Sequence, residues 1–314
     1  MTMTMTQTDA PVAPLAGTEQ RDPRYADIDL WPVRSVLDAL AEAQMAAAAA
    51  VRVAVPEIEA VVVAALPRLR RGGRLFYVGA GTSGRIGLQD GVELGPTFGW
   101  PAERLVLLLA GGPQAIFQAA EGAEDREETG RAEVLAHAPD DRDVLFGIAA
   151  SGGTPYTCAA VAAARACGAL TVGISCNAAG RLLREAEYGI TIATGPEVIA
   201  GSTRLKAGTA QKATLNLLST ALMIRLGHAY RGRMVDMRVM NDKLDRRAAR
   251  MVADLAGGSD DEIRAALAAA GGNVKRAVLV RAGLSPSEAE QALARHDGDL
   301  RRILPLAGPT ATAG

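Results

Sequence analysis

The sequence predicts an α/β protein: a doubly wound parallel sheet of five strands, preceded by N-terminal helices and followed by a small C-terminal helical bundle. Three observations predict it. Between residues 74 and 193 five short β-rich runs, RLFYV, RLVLLL, DVLFGIA, LTVGIS and YGITIA, are separated for the most part by helical stretches. The runs are almost continuously apolar, as strands are when helices cover both faces of a parallel sheet. The first run leads directly into a glycine-rich turn, FYVGAGTSGR, of the kind that joins a strand to a helix around an anion.

Residues 1–17, MTMTMTQTDAPVAPLAG, lack a basic region followed by an apolar core and read as a disordered lead, not a signal peptide. Residues 18–70 carry Ala, Leu and Val at helical spacing, and Pro56 suits a first-turn position that divides them into two helices. The sheet domain spans 71–235 and closes with a long helix from about Lys206 to Gly227. Residues 236–314 form the bundle, its short amphipathic helices separated by Gly257-Gly258, Gly271-Gly272 and Ser285-Pro286, and LAGPTATAG at the end is expected to fray.

Bulk properties exclude several functions. With 314 residues and 49% apolar content the chain can bury a large core, and 34 basic against 35 acidic side chains leave no basic footprint for nucleic acid. The Ala-rich stretch from Met45 to Leu66 is the one candidate span, but Arg52, Glu57 and Glu59 interrupt it and Pro56 breaks it, so no membrane partner is expected and the location reads as cytoplasmic. Cys158, Cys167 and Cys176 have neither metal-ligand spacing nor disulfide-scaffold density and are expected to be buried thiols. His137, His228 and His296 lie in separate segments, and no metal or cofactor is expected.

In an open parallel sheet ligands bind beyond the carboxyl ends of the strands. A dinucleotide reading of GAGTSGRIG needs an acid at the end of the second strand; that strand ends Leu109-Ala110-Gly111-Gly112, and no P-loop motif occurs. Thr82 and Ser83 instead place hydroxyls at a helix N-terminus, whose dipole favours negative charge. Ser151, Gly152 and Thr154 form a second loop of the same character, with Pro155 suited to the first turn of a helix. Ser, Thr and Gly are also ordinary turn and cap residues. Two such loops on one sheet edge favour a phosphate monoester.

The loops YVGAGTSGRIG and IAASGGTPY resemble those of sugar isomerase (SIS) domains. GVELGPTFGWP, AGGPQAIFQAAEGAED, GSTRLKAGTAQKATLNLLSTALMIRLG and MVDMRVMNDKL closely resemble the N-acetylmuramic acid 6-phosphate etherase family, and the likeness extends from TEQRDPRYADID to the helical tail. It implies an SIS-type sheet and a lyase that removes D-lactate from a phosphosugar by elimination and water addition. It carries two catalytic acids onto Glu93 and Glu124 and implies a homodimer with sites at the subunit boundary; Lys206, in STRLKAGTAQK, is read beside this as an electrostatic partner of the sugar phosphate. The chain departs from the family pattern at Gly153, where an Arg is usual, and at Gly91-Val92, where Ala-Ala is usual. An alternative is a regulatory phosphosugar-binding protein resembling glucokinase regulatory protein, which has two such domains in a longer chain; another is an aldose-ketose isomerase of the same fold. An unbroken helix from Ser83 to Glu93 would separate the glutamate from the helix start by about 15 Å. Either Gly91 bends the chain back, or Glu93 serves a site shared with a neighbouring subunit.

Overall fold

The helical spacing after residue 30 becomes α1 (Val33–Val53) and α2 (Val55–Arg70), and Pro56 sits in the first turn of α2, where its missing N–H breaks no intrahelical bond. The structure, a computed structural model, describes residues 17–237 and 242–304, so nearly all of the expected lead and the expected frayed end lie outside the described residues. The apolar runs become β1 (Leu75–Gly79), β2 (Leu105–Leu109), β3 (Val144–Ile148), β4 (Leu170–Ser175) and β5 (Tyr188–Thr191), paired in parallel in the order β2-β1-β3-β4-β5. Between them run α3 (Gly81–Phe98), α4 (Glu127–Ala136), α5 (Pro155–Ala166) and α6 (Arg181–Glu185), and α7 (Lys206–Arg225) follows the last strand.

Alternation along each strand sends side chains to two cores. Tyr77, Phe146, Val172 and Ile174 pack with Val61 and Leu66 of α2 and Leu218 and Leu222 of α7. Phe76, Val78 and Leu145 face the other way, against Val134 of α4, Ala160 and Ala164 of α5, and Leu182 of α6. Both faces are therefore covered, which is why the strands read as unbroken apolar runs. Of the three thiols expected to be buried, Cys158 and Cys176 are, whereas Cys167 is exposed because it falls at the C-terminal end of α5, past its buried face.

The bundle comprises α8 (Asp242–Ala256), α9 (Asp260–Ala269), α10 (Val274–Arg281), α11 (Pro286–Arg295) and α12 (Leu300–Ile303), around Val252, Ile263, Leu267, Val278 and Leu279. Ser259 and Ser285 open α9 and α11 with capping boxes to Glu262 and Glu288. A buried junction joins the bundle to the sheet domain: Asp236 pairs with Lys275 of α10 and lies 2.8 Å from His228 Nδ1, and the Trp100 ring meets His228 edge-on.

Candidate functional site

Strand order reverses between β1 and β3, because the chain runs from β1 to its neighbour on one side and then returns to pair with β1 on the other. Such a switch point leaves a crevice between the loops that leave the two strands. A cavity of about 540 Å³ lies there. Thr82 and Ser83 line it from the β1 loop, Ser151, Gly153 and Thr154 from the β3 loop, and Glu124 and Asp125 from the segment before α4.

Close backbone approach shapes both loops. A Cβ on Gly84 would lie 2.7 Å from the carbonyl carbon and oxygen of Gly79, so only glycine lets α3 start this near the end of β1. Gly152 has φ +69°, and a Cβ there would lie 2.5 Å from Ser175 Oγ and 2.7 Å from Gly180 Cα; it lets the β3 loop fold over β4. The Ser151 hydroxyl accepts from Gly153 N at 3.1 Å, and Asn177 Nδ2 donates to the Ser151 carbonyl at 3.3 Å, which fixes this loop from both sides. Burial pushes the Cys158 thiol, whose sulfur lies 3.9 Å from the Gly152 carbonyl, up to about 11.

The first turn of α3 follows Ala80, whose side chain can cap nothing. Its leading N–H groups, with the positive end of the helix dipole, face the cavity that Gly81, Thr82 and Ser83 line. Glu124 is held beside them by its backbone, whose carbonyl accepts from Tyr156 N at 2.9 Å, one residue into α5. Arg85 braces the preceding segment by donating from Nε to the Ala115 carbonyl at 2.9 Å and from Nη2 to that of Gln118 at 3.3 Å.

The structure thus brings together Thr82, Ser83, Ser151, Thr154 and Glu124, with Gly152 supporting the β3 loop. Three expected residues do not line the cavity: Gly152, which lies behind the β3 loop against Ser175 and Gly180, Lys206 and Glu93. Lys206 is 8% exposed and its Nζ donates to the Thr194 carbonyl at 3.0 Å. Glu93 is exposed on α3, twelve residues beyond Gly81 and about 18 Å along the axis. Helix α3 continues through Gly91 to Phe98, so Gly91 does not bend the chain back. At position 153 there is room for a larger residue, since a Cβ would meet nothing closer than Ser151 Oγ at 3.8 Å.

Sequence reasoning missed Glu19, Asp125, Gly201 and Thr203, all of which line the cavity. The hint for Glu19 was its place in TEQRDPRYADID, which resembles the family without any assignable chemistry. Gly201 N donates to the Thr18 carbonyl, so this N-terminal turn is brought to the cavity by a contact across the whole sheet domain. Among the described residues no group of three or more His, Cys, Asp or Glu side chains could hold a metal ion, and no helix is long and apolar enough to cross a membrane.

Family profiles match two overlapping stretches: the glucokinase regulatory protein N-terminal SIS domain at residues 57–165 and the SIS domain at 125–221. Among solved structures, a candidate sugar-phosphate isomerase from Listeria monocytogenes aligns with TM-score 0.45 and 16% identity over 62% of this chain and 93% of its own. A phosphoheptose isomerase from Francisella tularensis aligns with TM-score 0.44 and 18% identity over 63% and 99%. Sequence relatives reach much further. The N-acetylmuramic acid 6-phosphate etherase of Deinococcus radiodurans is 51% identical over 91% of this chain and 94% of its own length, that of Streptomyces avermitilis 45% over 92% and 94%, and that of Salmonella paratyphi A 42% over 91% and 97%. The regulatory protein's profile matches residues 57–165, whereas the etherases match 288 to 291 residues, more than nine-tenths of the chain. The chain belongs to the N-acetylmuramic acid 6-phosphate etherase family.

Proposed function

We propose that the protein is a lyase that cleaves the D-lactyl ether of N-acetylmuramic acid 6-phosphate, giving N-acetylglucosamine 6-phosphate and D-lactate. The observation that carries this reading is the meeting of an uncapped helix N-terminus, five hydroxyl side chains and the Glu124 carboxylate in one cavity at the switch point. The phosphate binds at the first turn of α3, among Thr82, Ser83, Ser151 and Thr154, where N–H donors and the helix dipole favour an anion. Its charge also keeps such a substrate inside the cell, so the reaction belongs in the cytoplasm.

The C2 proton is acidified by the aldehyde of the open-chain sugar. Glu124 assists its transfer; the electron pair forms the C2–C3 double bond as the C3–O bond breaks, and the departing oxygen takes a proton to leave as D-lactate. Water then adds its oxygen to C3, and a solvent proton returns to C2. Carboxyl groups are suited to both proton transfers. Glu93 is the donor to the departing oxygen, and its distance along α3 requires that it act in the site of a second copy of the chain. Exposed apolar side chains support a homodimer: Leu30 and Val33 are 79% and 75% exposed at the start of the N-terminal helices, and Val92, beside Glu93, is 52% exposed.

The test is to incubate the purified protein with the substrate in ¹⁸O-water and D₂O while measuring D-lactate. Lactate release with ¹⁸O on the sugar 3-hydroxyl and deuterium at C2 is expected. Label in lactate with C2 hydrogen retained would mean direct displacement, and binding with no lactate would favour the regulatory reading.

A further inference from the structure

Gln211 sits in the second turn of α7, 0% exposed, with its side chain directed at the first turn of α3. Its Oε1 accepts from Ser83 Oγ at 3.0 Å. Its Nε2, buried as well, has no hydrogen-bond partner among the described residues. The two helices meet closely here: a Cβ on Gly208 would lie 3.6 Å from Thr82 Cγ2 and 3.5 Å from Ile86 Cδ1.

An amide N–H pair buried without an acceptor is destabilising, and orphaned donors are rarer in proteins than under-satisfied carbonyls. The two ends of a glutamine amide have nearly the same shape, so rotation by a half-turn exchanges them without repacking. The exchange decides what Ser83 offers the cavity. With Oε1 toward it, Ser83 spends its one hydrogen on Gln211 and presents lone pairs to an arriving anion. With Nε2 toward it, Ser83 accepts from Gln211 and is left with its hydrogen to give to a phosphate oxygen, a charge-assisted bond of the stronger kind.

We propose that Gln211 is a positioning residue: its amide turns when substrate binds, so that Nε2 donates to Ser83 Oγ and Ser83 donates to the substrate phosphate. The inference rests on the proposed phosphosugar site and deepens it. It also gives a role to the AGTAQK segment, whose glutamine neither touches the cavity nor fills the apolar core.

The experiment is a double-mutant cycle of Gln211→Met with Ser83→Ala, measured as KM and kcat for N-acetylmuramic acid 6-phosphate and as the inhibition constant of inorganic phosphate. Gln211→Met keeps the volume and removes both amide functions. Expected are a rise in KM and in the phosphate constant of about tenfold, with kcat within about twofold, and almost no further change when Gln211→Met is added to Ser83→Ala. Gln211→Glu, which can only accept when ionised, should raise both constants further, and thermal unfolding of each variant shows whether the fold persists. Additive effects in the double variant, or wild-type constants in a folded Gln211→Met, would overturn the role of Gln211. A wild-type protein that neither cleaves the substrate nor binds phosphate would overturn the reading of the site itself, and the role of Gln211 with it. If Gln211→Met fails to fold, Gln211→Glu decides on the same constants: no loss of phosphate binding overturns the proposal.

Discussion

Helix α3 begins at the cavity and α7 begins three residues after Thr203, which lines it, and their first turns are satisfied in opposite ways. At α7 the Glu197 side chain, fully buried, accepts from Lys206 N at 3.0 Å and Ala207 N at 2.9 Å, so that the helix start is closed by an internal anion. At α3 the capping position is Ala80, which offers nothing, and the first turn opens on the cavity. Both ends carry the same partial positive charge. The difference teaches what each end can take: a helix start closed by its own carboxylate has no place for another anion, and one left open, as at α3, has room for the carboxylate or phosphate of a ligand.

The largest expected effect comes from closing the open end. Ala80→Asp would supply at α3 what Glu197 supplies at α7; stability should rise by about 1 kcal/mol in thermal unfolding. Like charge at the phosphate position costs several kcal/mol, so KM should rise by about a hundredfold or more. An unchanged KM would remove the phosphate from this turn. Opening the closed end is the converse. Glu197→Ala leaves two buried N–H groups unpaired and should destabilise by about 2–4 kcal/mol, with sulfate restoring part of the loss; no sulfate dependence would mean that the α7 start cannot accept an outside anion.

Smaller effects sharpen the account of the cavity. Ser151→Ala should raise KM by about one decade with the melting temperature unchanged, since one hydrogen bond to a charged group is lost. Gly153→Arg, at a position with room for a side chain and with no positive φ to forbid one, should lower KM several-fold by adding a planar charged donor. A rise instead would show that this site binds its phosphate without space for the residue usual in the family.

Much of this was legible in the sequence because it is local. Apolar runs bounded by glycine and proline place β1 to β5 to within two residues, and the hydroxyl loops at Thr82–Ser83 and Ser151–Thr154 follow from strand ends alone. What the sequence withheld depends on contacts between distant segments. Ser83 and Gln211 are 128 positions apart, and nothing in AGTAQK indicates which helix its glutamine faces. Glu197 lies in a loop with no periodic pattern, so its burial beneath α7 has no local sign. Glu19 reaches the cavity because the N-terminal turn crosses to Gly201, a pairing fixed by the whole fold. Lys206 reads as a cation beside a phosphate in one dimension; in three it is turned back to Thr194.

The buried junction at Asp236 has a consequence for how this protein can change over time. Lys275 is 4% exposed and its ammonium rests against the Asp236 carboxylate, in the segment between α7 and α8. A bundle cut free at residue 237 would lose that carboxylate and also Tyr230 and Val235, which pack in its apolar core. The remaining sheet domain would expose Asp236, His228 and the Trp100 edge together. The bundle is therefore not a detachable cassette: gene fusion or truncation at this boundary is penalised from both sides, and the two bodies should be inherited, melted and degraded as one.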